Sequence, residues 1–143
     1  MKQKKTKLMV FGTFDGLHKG HLDLFKQAKA LSENPYLVVS IARDKNVLKI
    51  KGKRPFLNEK KRLGLVKNCI LVDRVVLAGI REHLPHILKE KPEIIVLGYD
   101  QTFYVKNLKN DLKKRGLFVR IVRMKPYKEH IYKNHLLNKK RTI

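Results

Sequence analysis

A chain of 143 residues suffices for one domain with one core, and its single cysteine, Cys69, excludes an intramolecular disulfide and a cysteine-built metal cage. It carries 34 Lys and Arg against 12 Asp and Glu, a net charge of +22, which points to anionic partners (nucleotides, phosphorylated metabolites or nucleic acid) or to a lysine-rich solvated surface. No apolar run approaches the ~18 residues of a membrane span, and the short apolar stretch after the basic N-terminus is broken by Gly12 and Asp15, so neither a membrane segment nor a signal peptide is expected and the compartment expected is the cytoplasm.

In chain order, residues 7–11 form an apolar run that reads as a strand ending at Gly12. Leu22, Phe25, Ala28 and Leu31 recur at helical spacing, which predicts a helix over 20–33 stopped by Asn34-Pro35. Tyr36 to Ala42 is rich in β-branched residues and reads as a buried strand. Residues 43–56 are charged, contain Gly52 and Pro55, and read as a loop. Asn58 is placed to cap a helix reaching about Asn68, with Glu59 in its first turn. A third strand falls between Asp73 and Ala78, a helix with Pro85 over 81–91, and a fourth strand over Glu93 to Leu97, closed by Gly98. Residues 102–115 predict a helix ending at Gly116, and Phe118 to Met124 a fifth strand. Residues from about 129 to 143 form a basic tail or helix.

Strands and helices alternate along the chain, and the strands are continuous apolar runs, as when helices cover both faces. The fold expected is α/β: a Rossmann-like, doubly wound, five-stranded parallel sheet in one domain over 1–143. Ligands of such sheets lie at the carboxyl ends of the strands near the switch point. The polar segments fall there, with Gly12 to His21 after strand one, Arg43 to Arg54 after strand two, Gly98 to Gln101 after strand four and Met124 to Lys128 after strand five.

The chemistry concentrates in Gly12-Thr13-Phe14-Asp15-Gly16-Leu17-His18-Lys19-Gly20-His21. A helix beginning there offers free N–H groups and a positive dipole end to a phosphate, and two imidazoles on one face add donors. The glycines let the backbone approach a ligand, and Gly20 leaves room between the histidines. Surface histidines, or a metal pair, are the alternatives, and no third ligand sits at a supporting spacing. Neither G-x-G-x-x-G nor G-x-x-x-x-G-K-[ST] occurs. Asp15 reads as a turn former for the Phe14–Gly16 bend, and Cys69 as a structural thiol.

This run resembles the HxGH signature of the nucleotidylyltransferase superfamily. The segments Ala42-Arg43-Asp44-Lys45-Asn46-Val47, Lys51-Gly52-Lys53-Arg54-Pro55 and Val96-Leu97-Gly98-Tyr99-Asp100-Gln101-Thr102 narrow the resemblance to the small archaeal-type FAD synthases, close to the glycerol-3-phosphate cytidylyltransferases. It implies transfer of AMP from ATP to FMN, or of CMP from CTP to a sugar phosphate. The chain departs from the family near Tyr132 to Leu136, where a Ser/Thr motif is usual and Asn134 is the candidate cap.

In-line attack on an α-phosphate asks the protein for positioning and charge neutralisation. His18 and His21 are the expected catalytic pair on the α-phosphate, with Thr13, Phe14, Lys19 and Gly20 completing the cradle. Lys51, Lys53 and Arg54 form a basic loop suited to pyrophosphate, or a solvated charge run. Asp100 is placed for the ribose or base, or as a helix cap, and Tyr127 for the base edge. Arg123 and Lys125 are weaker phosphate candidates. Mg²⁺ or another divalent cation is expected to bridge the phosphates, held mainly through the triphosphate, and no residue is singled out as its ligand. A homodimer is compatible with the sequence. A nucleic-acid-binding basic protein is the non-enzymatic alternative, without interleaved aromatics to support it.

Overall fold

Strand β1 (Thr6–Gly12) has two apolar faces, and both are covered. Leu8 and Val10 enter one core with Phe25, Leu37 and Val66, while Met9 and Phe11 enter another with Val38, Ile87 and Leu108. A period-2 strand does this when helices lie on each side of its sheet. The computed structural model describes residues 4–79, 83–99, 101 and 107–125.

Helix α1 (Lys19–Lys29) follows β1, then strand β2 (Pro35–Ile41), helices α2 (Asp44–Lys51) and α3 (Glu59–Lys67), and strand β3 (Arg74–Leu77). Helix α4 (His83–Glu90), strand β4 (Ile94–Leu97), helix α5 (Leu108–Lys114) and strand β5 (Arg120–Arg123) complete the order. Helices α1 and α3 supply Phe25, Ala28 and Val66 to the first core, and α4 and α5 supply Ile87, Leu108 and Leu112 to the second. Cys69 is half-buried and packs on the first core, as a structural thiol does.

All strand pairs are parallel, in the order β3-β2-β1-β4-β5. The chain winds outward from β1 through β2 to β3, then crosses to β4 and β5. The switch point therefore lies between β1 and β4, and the doubly wound expectation holds. The β1–β4 ladder runs from Leu8↔Ile94 to Val10↔Val96. Beyond it, Gln101 takes over: its Nε2 donates to the Phe11 carbonyl at 2.7 Å, and the Gly98 N–H donates to its Oε1 at 2.8 Å. The two strands are thus held together at the mouth of the sheet without filling it.

Two elements differ from the sequence reading. The first helix ends at Lys29, with Ala30 as its C-cap, and not at 33, and Pro35 opens β2 where it was expected to stop the helix. Residues 43–56 do not form a loop throughout, because Asp44–Lys51 is a helix. The charged surface hid a single buried position, Val47, and the helix needs no local side-chain cap. Its N-terminus is closed by a distant partner instead, with the Asp44 N–H donating to Glu59 Oε1 at 2.9 Å and the Glu59 N–H to Asp44 Oδ2 at 3.1 Å. Gly52 ends the helix in the left-handed region at φ 78°. Asn58 caps α3 as expected, accepting the Lys61 N–H at 2.9 Å.

Candidate active site

The turn between β1 and α1 borders a cleft of about 700 Å³ at the carboxyl ends of the strands, within the range of small-molecule sites. Gly12 to His18, His21, Lys51, Lys53, Arg54 and Gln101 are among its lining residues. The sequence placed a ligand at this end of the sheet, and the cleft lies there.

The turn is shaped by close packing. Phe14 sits at φ 54°, buried beneath the loop. A Cβ at Gly12 would stand 2.7 Å from the Phe14 ring, so a glycine is required at this crossing. Phe14 in turn meets the His21 ring edge-on, with centroids 5.2 Å apart. The aromatic ring is a wall for the imidazole, which gives Phe14 a packing role beside any backbone contact to phosphate.

His18 is the N-cap of α1, a position usually held by Ser, Thr, Asp or Asn. Its Nδ1 accepts the Gly20 N–H at 3.0 Å, and His21 Nδ1 accepts the His18 N–H at 3.3 Å. The histidines thus form a capping box with imidazoles in place of oxygens. Backbone N–H groups only donate, so both Nδ1 atoms carry lone pairs. In the neutral rings the proton is then on Nε2. Each ring becomes an Nε2–H donor with its tautomer set by the helix start.

The neutral form is favoured by the surroundings. Burial holds His18 below the ordinary histidine value. Burial and then the neighbouring His18 push His21 down to about 4. The rings stack with centroids 3.8 Å apart at an interplanar angle of 21°, so two charges there would repel.

The other candidate residues are spread between the cleft and its supports. The Gly20 amide is already donated to His18, so it is not free for phosphate; Gly20 serves by its missing side chain, since a Cβ there would stand 2.8 Å from His18 Cε1. Lys19 is exposed at the first position of α1 and is not among the residues lining the cleft. Lys51 lies at the end of α2, with Lys53 and Arg54 in the segment after it, and all three line the cleft. Asp15 is not merely a turn former: its carboxylate accepts the Phe56 and Leu57 N–H groups at 2.6 and 2.7 Å. Arg123 Nη1 donates to the Gly98 and Gln101 carbonyls at 3.0 and 2.5 Å, which braces the segment after β4 and keeps that nitrogen from a phosphate. The Lys125 N–H donates to Gln27 Oε1 at 3.2 Å, tying β5 to α1. Asp100 and Tyr127 lie outside the described residues.

A family model described as cytidylyltransferase-like matches residues 9–138, from β1 through the histidine turn and beyond β5. The chain belongs to the cytidylyltransferase-like family. Its histidine turn and parallel sheet are those of an enzyme of nucleotidyl transfer. An FAD synthase of Korarchaeum cryptofilum is 47% identical over 119 residues, 82% of this chain and 80% of that protein. An FAD synthase of Thermoplasma volcanium is 36% identical over 134 residues, 94% of this chain and 92% of that protein. The crystal structure of the lipopolysaccharide core biosynthesis protein from Thermoplasma volcanium superposes with a TM-score of 0.78 at 38% identity, covering 85% of this chain and 98% of that one.

Two residues of this family member escaped the sequence reading. Gln101 was legible only as a polar residue after a strand, and its bridge to Phe11 needs β4 beside β1. Arg62 gave no signal among the lysines of α3, yet it is fully buried with its guanidinium under the turn. No helix among the described residues is long and apolar enough to cross a membrane.

Proposed function

We propose that this chain transfers AMP from ATP to FMN, giving FAD and pyrophosphate. A phosphate oxygen of FMN attacks the α-phosphorus of ATP. The new P–O bond forms as the bond from the α-phosphorus to the bridging oxygen breaks, and pyrophosphate leaves with that electron pair. The attacking oxygen is already ionised, so no general base is required. The protein's task is to orient the groups and to meet the charge that builds on the phosphate oxygens.

The observation that carries this reading is the pair of imidazoles whose Nδ1 atoms are engaged by backbone N–H groups. Each is left with one donor, Nε2–H, in a ring that lines the cleft. These donors are fixed before substrate arrives and need no reorganisation during the reaction. Thr13 and Phe14 frame the α-phosphate with them, and Lys51, Lys53 and Arg54 receive the departing pyrophosphate. Asp100 and Tyr127 belong to the nucleoside end of the same reading. The likeness to the FAD synthases supports FMN as acceptor.

Among the described residues, no group of three or more His, Cys, Asp or Glu is arranged to hold a metal. Asp15, the one carboxylate among the described lining residues, has both oxygens engaged by amides. This donor set fits a divalent cation such as Mg²⁺ that enters on the triphosphate, where it would neutralise phosphate charge.

The test is incubation with Mg²⁺, ATP and FMN, with chromatography of the products, beside a parallel reaction with CTP and glycerol 3-phosphate. FAD and pyrophosphate in the first mixture are expected. Product only in the second would replace FMN by a polyol phosphate as acceptor.

A further inference from the structure

The segment between α2 and α3 carries Lys53 and Arg54 to the cleft, yet little of its own side-chain surface holds it in place. Phe56 is 93% exposed, and Lys53 and Arg54 are exposed as well. Cationic neighbours in a chain of net charge +22 repel one another. Something other than apolar burial keeps this segment against the histidine turn.

Two charged groups do so from opposite sides. Asp15, from the histidine turn, accepts the Phe56 N–H at 2.6 Å and the Leu57 N–H at 2.7 Å. Arg62, from α3, donates from Nε to the Leu57 carbonyl at 3.0 Å. The same guanidinium donates from Nη1 to the Thr13 carbonyl at 2.8 Å and the Ala42 carbonyl at 2.7 Å, and from Nη2 to Asp44 Oδ1 at 2.6 Å. The guanidinium is wholly buried, so its charge strengthens these bonds more than an exposed one would. Leu57 is gripped at its N–H by Asp15 and at its carbonyl by Arg62.

We propose that Asp15 and Arg62 are positioning residues that latch the Phe56–Leu57 segment to the Thr13–Gly16 turn, and that this latch sets how tightly Lys53 and Arg54 hold the pyrophosphate end of the triphosphate. The proposal rests on the nucleotidyl-transfer reading above. Both charges act on the chain itself: each Asp15 oxygen accepts a backbone amide, and the Arg62 nitrogens donate to carbonyls and Asp44. The two halves of the phosphate site, the imidazole pair and the basic segment, become one rigid unit through them.

The decisive variant is Asp15→Asn, which keeps the size of the side chain and turns an NH₂ toward one of the amides. Amide exchange at Phe56 and Leu57 is read by NMR, and the affinity for inorganic pyrophosphate with Mg²⁺ by calorimetry. Exchange at both amides should rise, and pyrophosphate should bind about tenfold more weakly, the size expected for losing a charge-assisted bond. In the Asp15→Asn background, Lys53→Ala with Arg54→Ala should weaken binding far less than the same pair does in the natural chain. Phe56→Pro deletes one of the latched amides without touching Asp15 and should act like Asp15→Asn, whereas Phe56→Ala keeps the amide and should not. Unchanged exchange at Phe56 and Leu57, or full additivity of the two lesions, overturns the latch. Natural protein that binds pyrophosphate and shows the coupling but makes no FAD overturns the acceptor assignment alone.

Discussion

The His18 and His21 rings lie face to face, 3.8 Å between centroids, and each receives a backbone N–H on Nδ1. The contact joins three levels of the molecule. The sequence spacing sets the rings one helical turn apart, the capping bonds fix their tautomers, and the tautomers make each ring a single donor into the cleft.

If these donors stabilise the charge that develops on the α-phosphate, His18→Ala and His21→Ala each lower kcat by at least about 10², while nucleotide affinity falls less. Steady-state kinetics beside equilibrium binding of ATP separate the two effects. Turnover equal to the natural chain in both variants would remove the imidazoles from the mechanism.

The titration of His21 follows from its surroundings. Burial, then His18, hold its pKa at about 4 in the folded chain, against about 6.5 for an unperturbed histidine. Between these values the unfolded chain binds the extra proton and the folded chain does not, so stability rises with pH across this window and is lost as pH falls through it. His18, His83 and His86 are also lowered by burial and act in the same direction. An NMR titration of the His21 Cε1–H should have its midpoint near 4. Urea midpoints measured across the same range should show a shallower pH slope in His21→Gln than in the natural chain.

Gly20→Ala separates stability from activity. The substitution lies in the first turn of α1, where alanine is the better helix former by about 0.5–1 kcal/mol. Its Cβ would stand 2.8 Å from His18 Cε1 and 3.1 Å from Nδ1, so the ring must move. The melting temperature should change little, since the loss of the His18 cap offsets the gain in helix propensity, while kcat falls between about tenfold and a hundredfold, the scale of a misplaced side chain at the site. Unchanged kcat would mean that the exact seat of the His18 ring is immaterial.

Arg62→Ala tests the ion buried beneath the site. The variant leaves the Thr13, Ala42 and Leu57 carbonyls without their donor, and Asp44 without its partner. Breaking a buried pair on one side costs about 3–5 kcal/mol. Burial opposes ionisation of Asp44, but the Arg62 hydrogen bond and charge outweigh it and hold that carboxyl below its usual value. Urea denaturation should show the loss, and Asp44→Asn should lose less, because an amide oxygen can still accept from Arg62 and the three carbonyls keep their donor.

Local signals accounted for much of the architecture. The strand runs, the Asn58 cap and the glycine after α5 each act within a few residues, and each appears in the structure where the pattern placed it. The histidine turn was legible for the same reason, since its glycines, its spacing and its helix start are neighbours in the chain. Helix α2 was not, because its one buried residue, Val47, sits among charges and its N-terminus is closed by Glu59, which lies beyond the next turn.

Short-range stereochemistry and periodicity were enough to specify the alternation of strands and helices, the end of the sheet where the cleft opens, and the imidazole pair. Long-range contacts, by contrast, set Gln101 between β1 and β4, Asp15 against Phe56 and Leu57, and Arg62 beneath Thr13. These bonds join residues roughly forty to ninety positions apart. Their partners meet because parallel strands with right-handed crossovers return each loop to the same end of the sheet, and no local pattern encodes which two loops will touch.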